Sequence, residues 1–310
     1  MIHVPLSKLQ VNFSKPSVVT LGNFDGIHLG HRELLEKTRQ IALEKNFHSV
    51  LVTYFPSPTE YFQKKNVTYL TTQREKEFWC KKFGIEVPIS LQFDEELVET
   101  HAEEFLEKIL LEKLHAKHIV IGFDHRFGKN REGSSEFLEF YANKKGYAVT
   151  VIPAKILNGK KISSTEIRNS ITSGNLVEAS AMLGRPYSLL GTVLRGDQRG
   201  RTIGFPTANL SLPSEKLLPS LGVYAGILWV QNQMFPGIAN LGKVETLNKQ
   251  DVQLEVHALD FSQEIYGEEV LFEFHHKLRD TQKFSGLDEL KNQIARDKEE
   301  AIHLLKNVKA

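Results

Sequence analysis

The sequence predicts an α/β protein in two parts, an open parallel sheet with helices followed by a small antiparallel β-barrel with a C-terminal helix. Through about residue 183, apolar runs alternate with helix-like stretches, which is typical of a parallel sheet covered on both faces. Beyond residue 187, β-rich runs follow one another without helices, as in a small barrel. A helical pattern ends at Gly184, and Arg185-Pro186 cannot continue it. We therefore expect domains of 1–184 and 185–310.

The strands of the first part are predicted by five apolar runs, at 17–21, 49–55, 87–91, 119–122 and 148–152. Helical patterns lie between them or follow them, at 33–43, 74–83, 105–114, 137–145 and 176–183. Ser163 is followed three residues later by Glu166, the pattern of a capping box, so a helix is expected to begin there. Strands separated by helical crossovers indicate a parallel sheet.

The barrel strands are predicted by β-rich runs at 189–194, 222–230, 235–241, 252–259 and 270–274. Polar residues separate Leu254, Val256 and Ala258, which is the period of a half-buried strand. The terminal helix is predicted by six apolar residues that fall on one face: Leu287, Leu290, Ile294, Ala301, Ile302 and Leu305.

Charge and cysteine content restrict the class of protein. The 39 Lys and Arg against 38 Asp and Glu give a net charge of +1, which argues against a broad surface for nucleic acid. One cysteine excludes an internal disulfide framework and fits a reducing compartment. The N-terminus lacks the pattern of a secretory signal, and no apolar run approaches the roughly 18 residues of a membrane span. We therefore expect a cytoplasmic protein without nucleic-acid or membrane partners.

A glycine-containing turn after the first predicted strand carries the first chemical motif, Gly22-Asn23-Phe24-Asp25-Gly26-Ile27-His28-Leu29-Gly30-His31. Its glycines let the backbone approach a ligand, and the following helix N-terminus offers N–H groups and a positive dipole end. Because His28 and His31 are three residues apart at the helix start, both can project to one side and donate to nucleotide phosphates. A purely structural turn and a histidine metal site are the alternatives.

The whole string resembles the signature of the nucleotidyltransferase superfamily, with its H-x-G-H motif. Ile162-Ser163-Ser164-Thr165-Glu166-Ile167-Arg168 resembles the second superfamily motif, whose hydroxyls and arginine hold the β- and γ-phosphates of ATP. The resemblance implies a Rossmann-like domain that transfers an adenylyl group from ATP, with His28 and His31 acting in the transfer. The residues implied in ATP binding are Gly22, Asn23, Phe24, Asp25, Gly30, Ser163, Ser164, Thr165 and Arg168.

A second loop opens the barrel half and carries three glycines, Gly196, Gly200 and Gly204. Such a side-chain-poor loop can wrap phosphates with its amides. Pro206 favours extended backbone before it, and Thr207 and Asn209 would share one face of an extended chain. Two neutral oxygen ligands with nucleotide phosphates fit Mg²⁺, which needs few protein ligands. An ordinary barrel loop is the alternative.

Glu255 lies in the middle of a predicted strand, where a glutamate usually faces solvent. The surrounding segments nevertheless resemble the riboflavin kinase family, namely Gly-Phe-Pro-Thr-Ala-Asn at 204–209, 222–224, 254–267 and Leu278-Arg279. The resemblance implies that Glu255 is the base that takes the proton from the ribityl 5′-hydroxyl. It further implies that Thr207 and Asn209 hold Mg²⁺-ATP, that the three loop glycines and Pro206 contact ATP, and that Arg279 contacts the flavin.

Both halves together, from about residue 17 to residue 300, resemble bacterial bifunctional riboflavin kinase/FAD synthetase. The implied reactions convert riboflavin and ATP to FMN, and then FMN and ATP to FAD and pyrophosphate, with Mg²⁺ as the metal. A single-activity FMN adenylyltransferase, whose barrel only binds flavin, is the competing enzyme. A flavin-binding regulator or RNA-contacting protein without enzymatic activity is the other alternative.

Flavin contacts in the first part are expected beyond the carboxyl ends of the strands, where open α/β sheets bind ligands. By analogy with the family, Phe62 and Phe127 stack on the isoalloxazine ring, and core packing is the alternative for each. Pro56, Pro58 and Asp124 complete the expected flavin subsite.

Two positions and one segment depart from the family pattern. His125 stands where phenylalanine is common, and Ser57 stands where histidine is common. The segment Lys243–Thr246 lacks the usual Arg-Pro-Thr. Glu255, Thr207 and Asn209 of the expected kinase site are nevertheless present.

Overall fold

The computed structural model describes residues 1–64, 67–195, 204–246 and 249–308. It divides into two compact units, Met1–Ser164 and Thr165–Ala310, which we call the sheet unit and the barrel unit. This division and the predicted boundary near Gly184 differ by the two helices that span 164–183. The assignment of domains to 1–184 and 185–310 stays a prediction. Among the described residues, no helix is both long enough and apolar enough to cross a membrane.

In the sheet unit, six strands of the described residues form one parallel sheet: β1 (Ile2–Val4), β2 (Ser17–Leu21), β3 (His48–Phe55), β4 (Val87–Gln92), β5 (Ala116–Gly122) and β6 (Ala148–Ile152). The five predicted strands are all present, and β1 is an additional strand on the edge beside β4. The strand order is β1-β4-β3-β2-β5-β6. The order therefore reverses between β2 and β5, which is where ligands bind in open α/β sheets.

The helices of the sheet unit are α1 (Leu29–Lys45), α2 (Pro58–Gln63), α3 (Gln73–Lys82), α4 (Glu95–Glu99), α5 (Ala102–Glu104) and α6 (Ser135–Lys145). The segment Phe105–Lys113, which the pattern predicts as a helix, continues α5 as a π-helix. Its last turn is closed by the Leu114 N–H, which donates to the Ile109 carbonyl at 2.9 Å. A small hairpin of β7 (Ile156–Leu157) and β8 (Lys160–Lys161) follows β6.

The core of the sheet unit confirms that the sheet is covered on both faces. All five residues of β2 are buried, and six consecutive residues of β3 are buried. Side chains that point to opposite faces, such as those of Val18 and Val19, are both inaccessible to solvent. The parallel sheet predicted from the continuous apolar runs is therefore confirmed.

In the barrel unit, six strands of the described residues close an antiparallel barrel: β9 (Tyr187–Leu194), β10 (Ala208–Leu210), β11 (Gly222–Val230), β12 (Gln233–Thr246), β13 (Lys249–Ala258) and β14 (Glu269–Arg279). Their order is β10-β13-β12-β11-β14-β9, and β10 also pairs with β9. The helices of 164–183 are α7 (Ser164–Thr172) and α8 (Leu176–Leu183), and the terminal helix is α9 (Leu287–Leu305). The sequence did not indicate β10, because three residues cannot show a period of two.

The alternation along β13 appears as predicted, with Leu254, Val256 and Ala258 buried inside the barrel. The intervening Glu255 and His257 are half-buried on the outer face. The polar side chains of β13 therefore lie on the outer face of the barrel.

The terminal helix α9 covers another part of the outer face of the barrel. There Ala301 and Leu305 pack against Ile227 and Ile238. Leu287 and Ile302, which the pattern placed on the packing face, are exposed instead. The packing face of α9 is thus narrower than its apolar stripe.

Candidate active sites

The two histidines of the first motif lie in contact at the start of α1. His28 is the N-cap residue, and its Nδ1 accepts a hydrogen bond from the His31 backbone N–H at 3.2 Å. The two rings stack with centroids 3.7 Å apart and planes 13° apart. Because Nδ1 accepts, a neutral His28 ring carries its proton on Nε2, where it can donate to an anion. The predicted projection of both histidines to one side is confirmed.

The turn that precedes them has unusual backbone geometry. Phe24 and Ile27 have φ angles of 50° and 41°, a left-handed conformation that L residues rarely adopt. Gly22 faces the Phe24 ring so closely that a Cβ there would lie 3.1 Å from a ring carbon. A side chain at position 22 would therefore press on the Phe24 ring, so packing favours glycine there in addition to any approach of a ligand.

Hydrogen bonds from neighbouring segments hold this turn. The Thr71 N–H donates to Asp25 Oδ1 at 3.1 Å, and the Gly26 N–H donates to Thr71 Oγ1 at 3.0 Å. Ser164 Oγ donates to the Asp25 carbonyl at 2.9 Å, which joins the second predicted motif to the first. The Asp25 side chain is buried and supports the turn, and its predicted part in ATP binding stays a prediction.

A cavity of about 390 Å³ lies at the carboxyl ends of β2, β5 and β6, where the strand order reverses. Ten predicted site residues line it, two of them the histidines expected to act in the transfer and eight expected to bind ATP or flavin: Gly22, Asn23, Phe24, His28, Gly30, His31, Pro58, Asp124, Ser163 and Ser164. The sheet therefore brings together two motifs from opposite ends of the sheet unit's sequence.

The same cavity is lined by four basic residues that the sequence did not single out: Arg126, Arg131, Lys155 and Lys161. Lys161 Nζ lies 2.6 Å from a carboxylate oxygen of Asp124. Burial lowers the pKa of His125, another lining residue, to about 4, so that its ring is neutral at neutral pH. An excess of cationic side chains in a cleft favours phosphate groups.

Two aromatic residues predicted to stack on the flavin lie in different surroundings. Phe127 is buried in the core, with its ring centroid 5.7 Å from that of Phe105 and 6.0 Å from that of Phe137. This is the core packing that the sequence left open. Phe62 is 64% exposed on α2 and contacts Tyr61 edge to face. Neither ring lines the cavity, and both flavin roles stay predictions.

The other positions singled out in this part of the sequence lie outside the cavity lining. Pro56 follows a cis peptide bond at the end of β3. Ser57, one of the departures, caps α2 by accepting a hydrogen bond from the Glu60 N–H at 3.2 Å. Thr165 and Arg168 lie on α7 and belong to the barrel unit, and their roles toward ATP stay predictions.

In the barrel, one row of side chains crosses the outer face. Asn209 on β10 lies directly opposite Glu255 on β13, and Glu255 lies directly opposite Asn240 on β12. Directly opposite residues of antiparallel strands share a face, with Cβ atoms about 4.5–5.5 Å apart. Glu255 is therefore flanked by two side-chain amides, in an arrangement that we call the Glu255 row. The predicted base and one predicted metal ligand are neighbours.

Asn240 is a member of this row that sequence reasoning missed. Its amide lies over Gly242 on the same face, since a Cβ at Gly242 would come within 3.3 Å of Asn240 Nδ2. Glycine at position 242 thus leaves room for the amide beside Glu255. The Asn-x-Gly spacing alone does not reveal this, because the register of β12 against β13 is not visible in the sequence.

A second cavity, of about 300 Å³, opens at one end of the barrel. It is lined by Pro206 and Thr207, by apolar residues that include Val193, Leu228 and Val256, and on one side by Ser262, Gln263 and Glu264. His257 Nδ1 contacts the Pro206 carbonyl at 2.7 Å and fixes this segment on β13. Thr207 thus faces this largely apolar cavity, which we call the apolar slot. Thr207 directly precedes β10, the strand that carries Asn209.

The remaining predicted kinase residues have distinct settings. Gly204 has a φ of 88°, which favours glycine, whereas Gly196 and Gly200 lie outside the described residues. Arg279 makes a bidentate ion pair with the buried Asp297 of α9, with Nη2 and Oδ2 2.8 Å apart. Arg279 therefore joins the last strand of the barrel to the terminal helix, and its predicted contact with flavin stays a prediction.

The Oδ1 atom of Asn209 bears on the predicted metal. It is buried, and none of the described residues forms a hydrogen bond with it. A buried oxygen acceptor of this kind requires a partner, which a cation or a substrate hydroxyl can supply. Asn209 Oδ1 therefore fits an oxygen ligand of Mg²⁺, and Thr207 as a second ligand stays a prediction.

Known protein families match the two halves of the chain separately. A family described as FAD synthetase matches residues 10–166, and a family described as riboflavin kinase matches residues 183–305. The first match covers the cavity of the sheet unit through Ser164, and the second covers the whole Glu255 row.

Relatives named bifunctional riboflavin kinase/FMN adenylyltransferase match nearly the entire chain. The protein of Haemophilus influenzae is 40% identical over 285 residues, which cover 91% of this chain and 92% of its own. The protein of Listeria monocytogenes is 38% identical over 286 residues, which cover 91% of this chain and 90% of its own.

A solved structure, that of a macrolide-efflux protein from Streptococcus pneumoniae, matches with a TM-score of 0.83 and 34% identity. It covers 97% of this chain and 99% of its own, so the fold of both units recurs in it. With relatives of 38% and 40% identity that span both units, this chain belongs to the bifunctional riboflavin kinase/FMN adenylyltransferase family.

Proposed function

We propose that the cavity of the sheet unit transfers the adenylyl group of ATP to FMN, and that the Glu255 row of the barrel unit phosphorylates riboflavin. The two reactions in sequence make FAD from riboflavin and two molecules of ATP. The observation that carries the proposal is that each unit holds a different set of reactive side chains. The sheet unit has stacked histidines among cationic side chains, and the barrel unit has a carboxylate between two amides.

In the kinase reaction the nucleophile is a neutral hydroxyl, so a base is useful. Glu255 takes the proton of the ribityl 5′-hydroxyl as that oxygen attacks the γ-phosphorus of ATP. A new P–O bond forms, the bond between the β–γ bridging oxygen and the γ-phosphorus breaks, and ADP leaves. Asn209 and Asn240, on either side of Glu255, orient the hydroxyl toward it.

Thr207 and Asn209 would hold Mg²⁺ beside the ATP phosphates. The buried Asn209 Oδ1, which no described residue satisfies, supports this placement. When bound, the metal neutralises negative charge on the phosphates. The apolar slot next to Thr207 suits the adenine ring, because adenine presents large apolar faces and few polar atoms.

In the adenylyl reaction the nucleophile is the FMN phosphate, which is already anionic and needs no base. Its oxygen attacks the α-phosphorus of ATP, the α–β P–O bond breaks, and pyrophosphate leaves. The chain must therefore neutralise charge and hold the reactants in line. His28, through Nε2–H, and the cations of the cavity, such as Arg126 and Lys155, supply this stabilisation.

Product analysis with riboflavin as the sole flavin tests the proposal. Incubation with ATP and Mg²⁺ is expected to yield FMN, FAD and pyrophosphate. A single-activity adenylyltransferase would form no FMN from riboflavin, and a non-enzymatic flavin binder would form neither product. Both outcomes would contradict the proposal. The lone buried thiol of Cys80 supports a reducing compartment, and we place the enzyme in the cytoplasm.

A further inference from the structure

A buried lysine lies behind the phosphate-binding turn and takes no part in the mechanism above. Lys76, on α3, is 1% exposed. Its Nζ donates to the Asn23 carbonyl at 2.8 Å and to Thr53 Oγ1 at 3.1 Å. Thr53 Oγ1 donates in turn to the same Asn23 carbonyl at 3.0 Å. A lysine is almost never buried this far without a specific partner, and here the partner is the backbone of the first motif.

The direction of the Asn23 carbonyl determines the direction of the next N–H group. The peptide bond is planar and trans, so the Phe24 N–H points opposite to the Asn23 carbonyl. The carbonyl faces Lys76 and Thr53, and therefore the N–H faces away from them. Both Asn23 and Phe24 line the cavity assigned to adenylyl transfer. The clamp on the carbonyl thus orients a backbone donor relative to the bound phosphates.

We propose that Lys76 is a positioning residue for adenylyl transfer: it fixes the Asn23 carbonyl so that the Phe24 N–H donates to a phosphate of ATP, and its ammonium charge attracts that phosphate through the intervening peptide. The inference rests on the assignment of this cavity to adenylyl transfer. It assigns to this cavity the positive charge of Lys76, which lies on α3 and belongs to neither sequence motif.

The buried position of Lys76 distinguishes a positioning role from a role in core packing alone. Burial lowers the pKa of Lys76 to about 8, opposed by the nearby Asp25 carboxylate and the Cys80 thiol. The protonated form at neutral pH therefore weakens the fold relative to a neutral side chain of similar size. A lysine that only filled space would be better replaced by methionine, whereas a lysine that holds the turn would not.

The test compares Lys76→Met with Lys81→Met, an exposed lysine on the same helix. In Lys76→Met, kcat/KM for ATP in the conversion of FMN to FAD is expected to fall about 100-fold, the effect of losing one oriented donor at a reacting phosphate. Conversion of riboflavin to FMN by the barrel unit is expected to stay unchanged, as are both activities of Lys81→Met. FAD synthesis by the wild type is expected to decline above about pH 8, and Lys76→Met is expected to lose this decline.

A second variant covers the case in which Lys76→Met fails to fold. Thr53→Val removes one donor to Asn23 and retains the lysine, and a loss of about fivefold in FAD synthesis is expected. Wild-type FAD synthesis by a folded Lys76→Met, or by Thr53→Val when Lys76→Met does not fold, would overturn the inference. Failure of the underlying site is distinguishable, because His28→Ala with His31→Ala would then leave FAD synthesis intact.

Discussion

Asn209 and Glu255 lie directly opposite each other on β10 and β13, so that an amide and a carboxylate from separate strands share one face of the barrel. The pairing places the proposed base beside the buried Asn209 Oδ1, the atom that fits the metal. In the proposed mechanism, proton acceptance and phosphate binding would thereby be adjacent, as transfer from ATP to a hydroxyl requires.

Glu255→Gln is expected to lower the rate of FMN formation from riboflavin by about 10²–10⁴-fold, because the variant keeps the shape of the side chain and loses the base. Adenylylation of supplied FMN should continue at the wild-type rate, since it takes place in the other unit. Initial rates with each flavin measure both effects. Gln253→Ala, on the same face of β13, is the matched control. Equal loss of the two activities in Glu255→Gln would argue against separate sites.

The double variant His28→Ala with His31→Ala is expected to lose conversion of FMN to FAD by at least about 100-fold, because it removes the donors at the start of α1. Its riboflavin kinase rate should equal that of the wild type. His101→Ala, which alters an exposed histidine of the same unit, should change neither rate. Undiminished FAD formation in the double variant would remove the histidines from the mechanism.

Asn240→Ala is expected to lower kcat/KM for riboflavin in the kinase reaction by about tenfold, the loss of one hydrogen bond at a reacting group. Steady-state rates of FMN formation over a range of riboflavin concentrations provide the measurement. Gln233→Ala, exposed on the same strand β12, serves as the control and should behave like the wild type. Full activity of Asn240→Ala would show that only one amide of the Glu255 row matters.

The stability of the sheet unit should depend on pH through Lys76. The unfolded chain holds this proton up to the ordinary pKa of 10.5, whereas the folded chain releases it near pH 8. Between these values the unfolded state binds more protons, so the free energy of unfolding rises with pH, by up to about 1.4 kcal/mol per pH unit. The Lys76→Met variant should lack this contribution. Its free energy of unfolding, compared with that of the wild type, should therefore increase most at neutral pH.

Urea unfolding at several pH values measures that difference. The sequence has two tryptophans, and a Trp229→Phe background leaves Trp79, on α3, as the reporter of the sheet unit. In that background, the chain that retains Lys76 is compared with the Lys76→Met variant. A difference in unfolding free energy that stays constant from pH 7 to 10 would contradict the linkage. Subtracting the two curves removes the contributions of the other titrating groups.

Local motifs carried most of what the sequence could predict. The turn from Gly22 to His31 and the start of α7 at Ser164 depend on residues close together in the chain, and both appear as expected. The neighbours of Glu255 were not visible, because strand register is set by tertiary packing. Lys76 was equally hidden, since the charged helical pattern at 74–83 does not indicate that one of its lysines is buried. The parts that escaped prediction are contacts between distant segments.

The central claim, one chemistry in each unit, is tested most directly by chromatography of the products that each variant makes from riboflavin and from FMN, with ATP and Mg²⁺ present. Glu255→Gln should form FMN and FAD from riboflavin only at the strongly reduced rate given above, yet form FAD from FMN at the wild-type rate. His28→Ala with His31→Ala should accumulate FMN from riboflavin and form FAD from either flavin only at its strongly reduced rate. Loss of both activities in either variant, with the protein still folded, would contradict the claim.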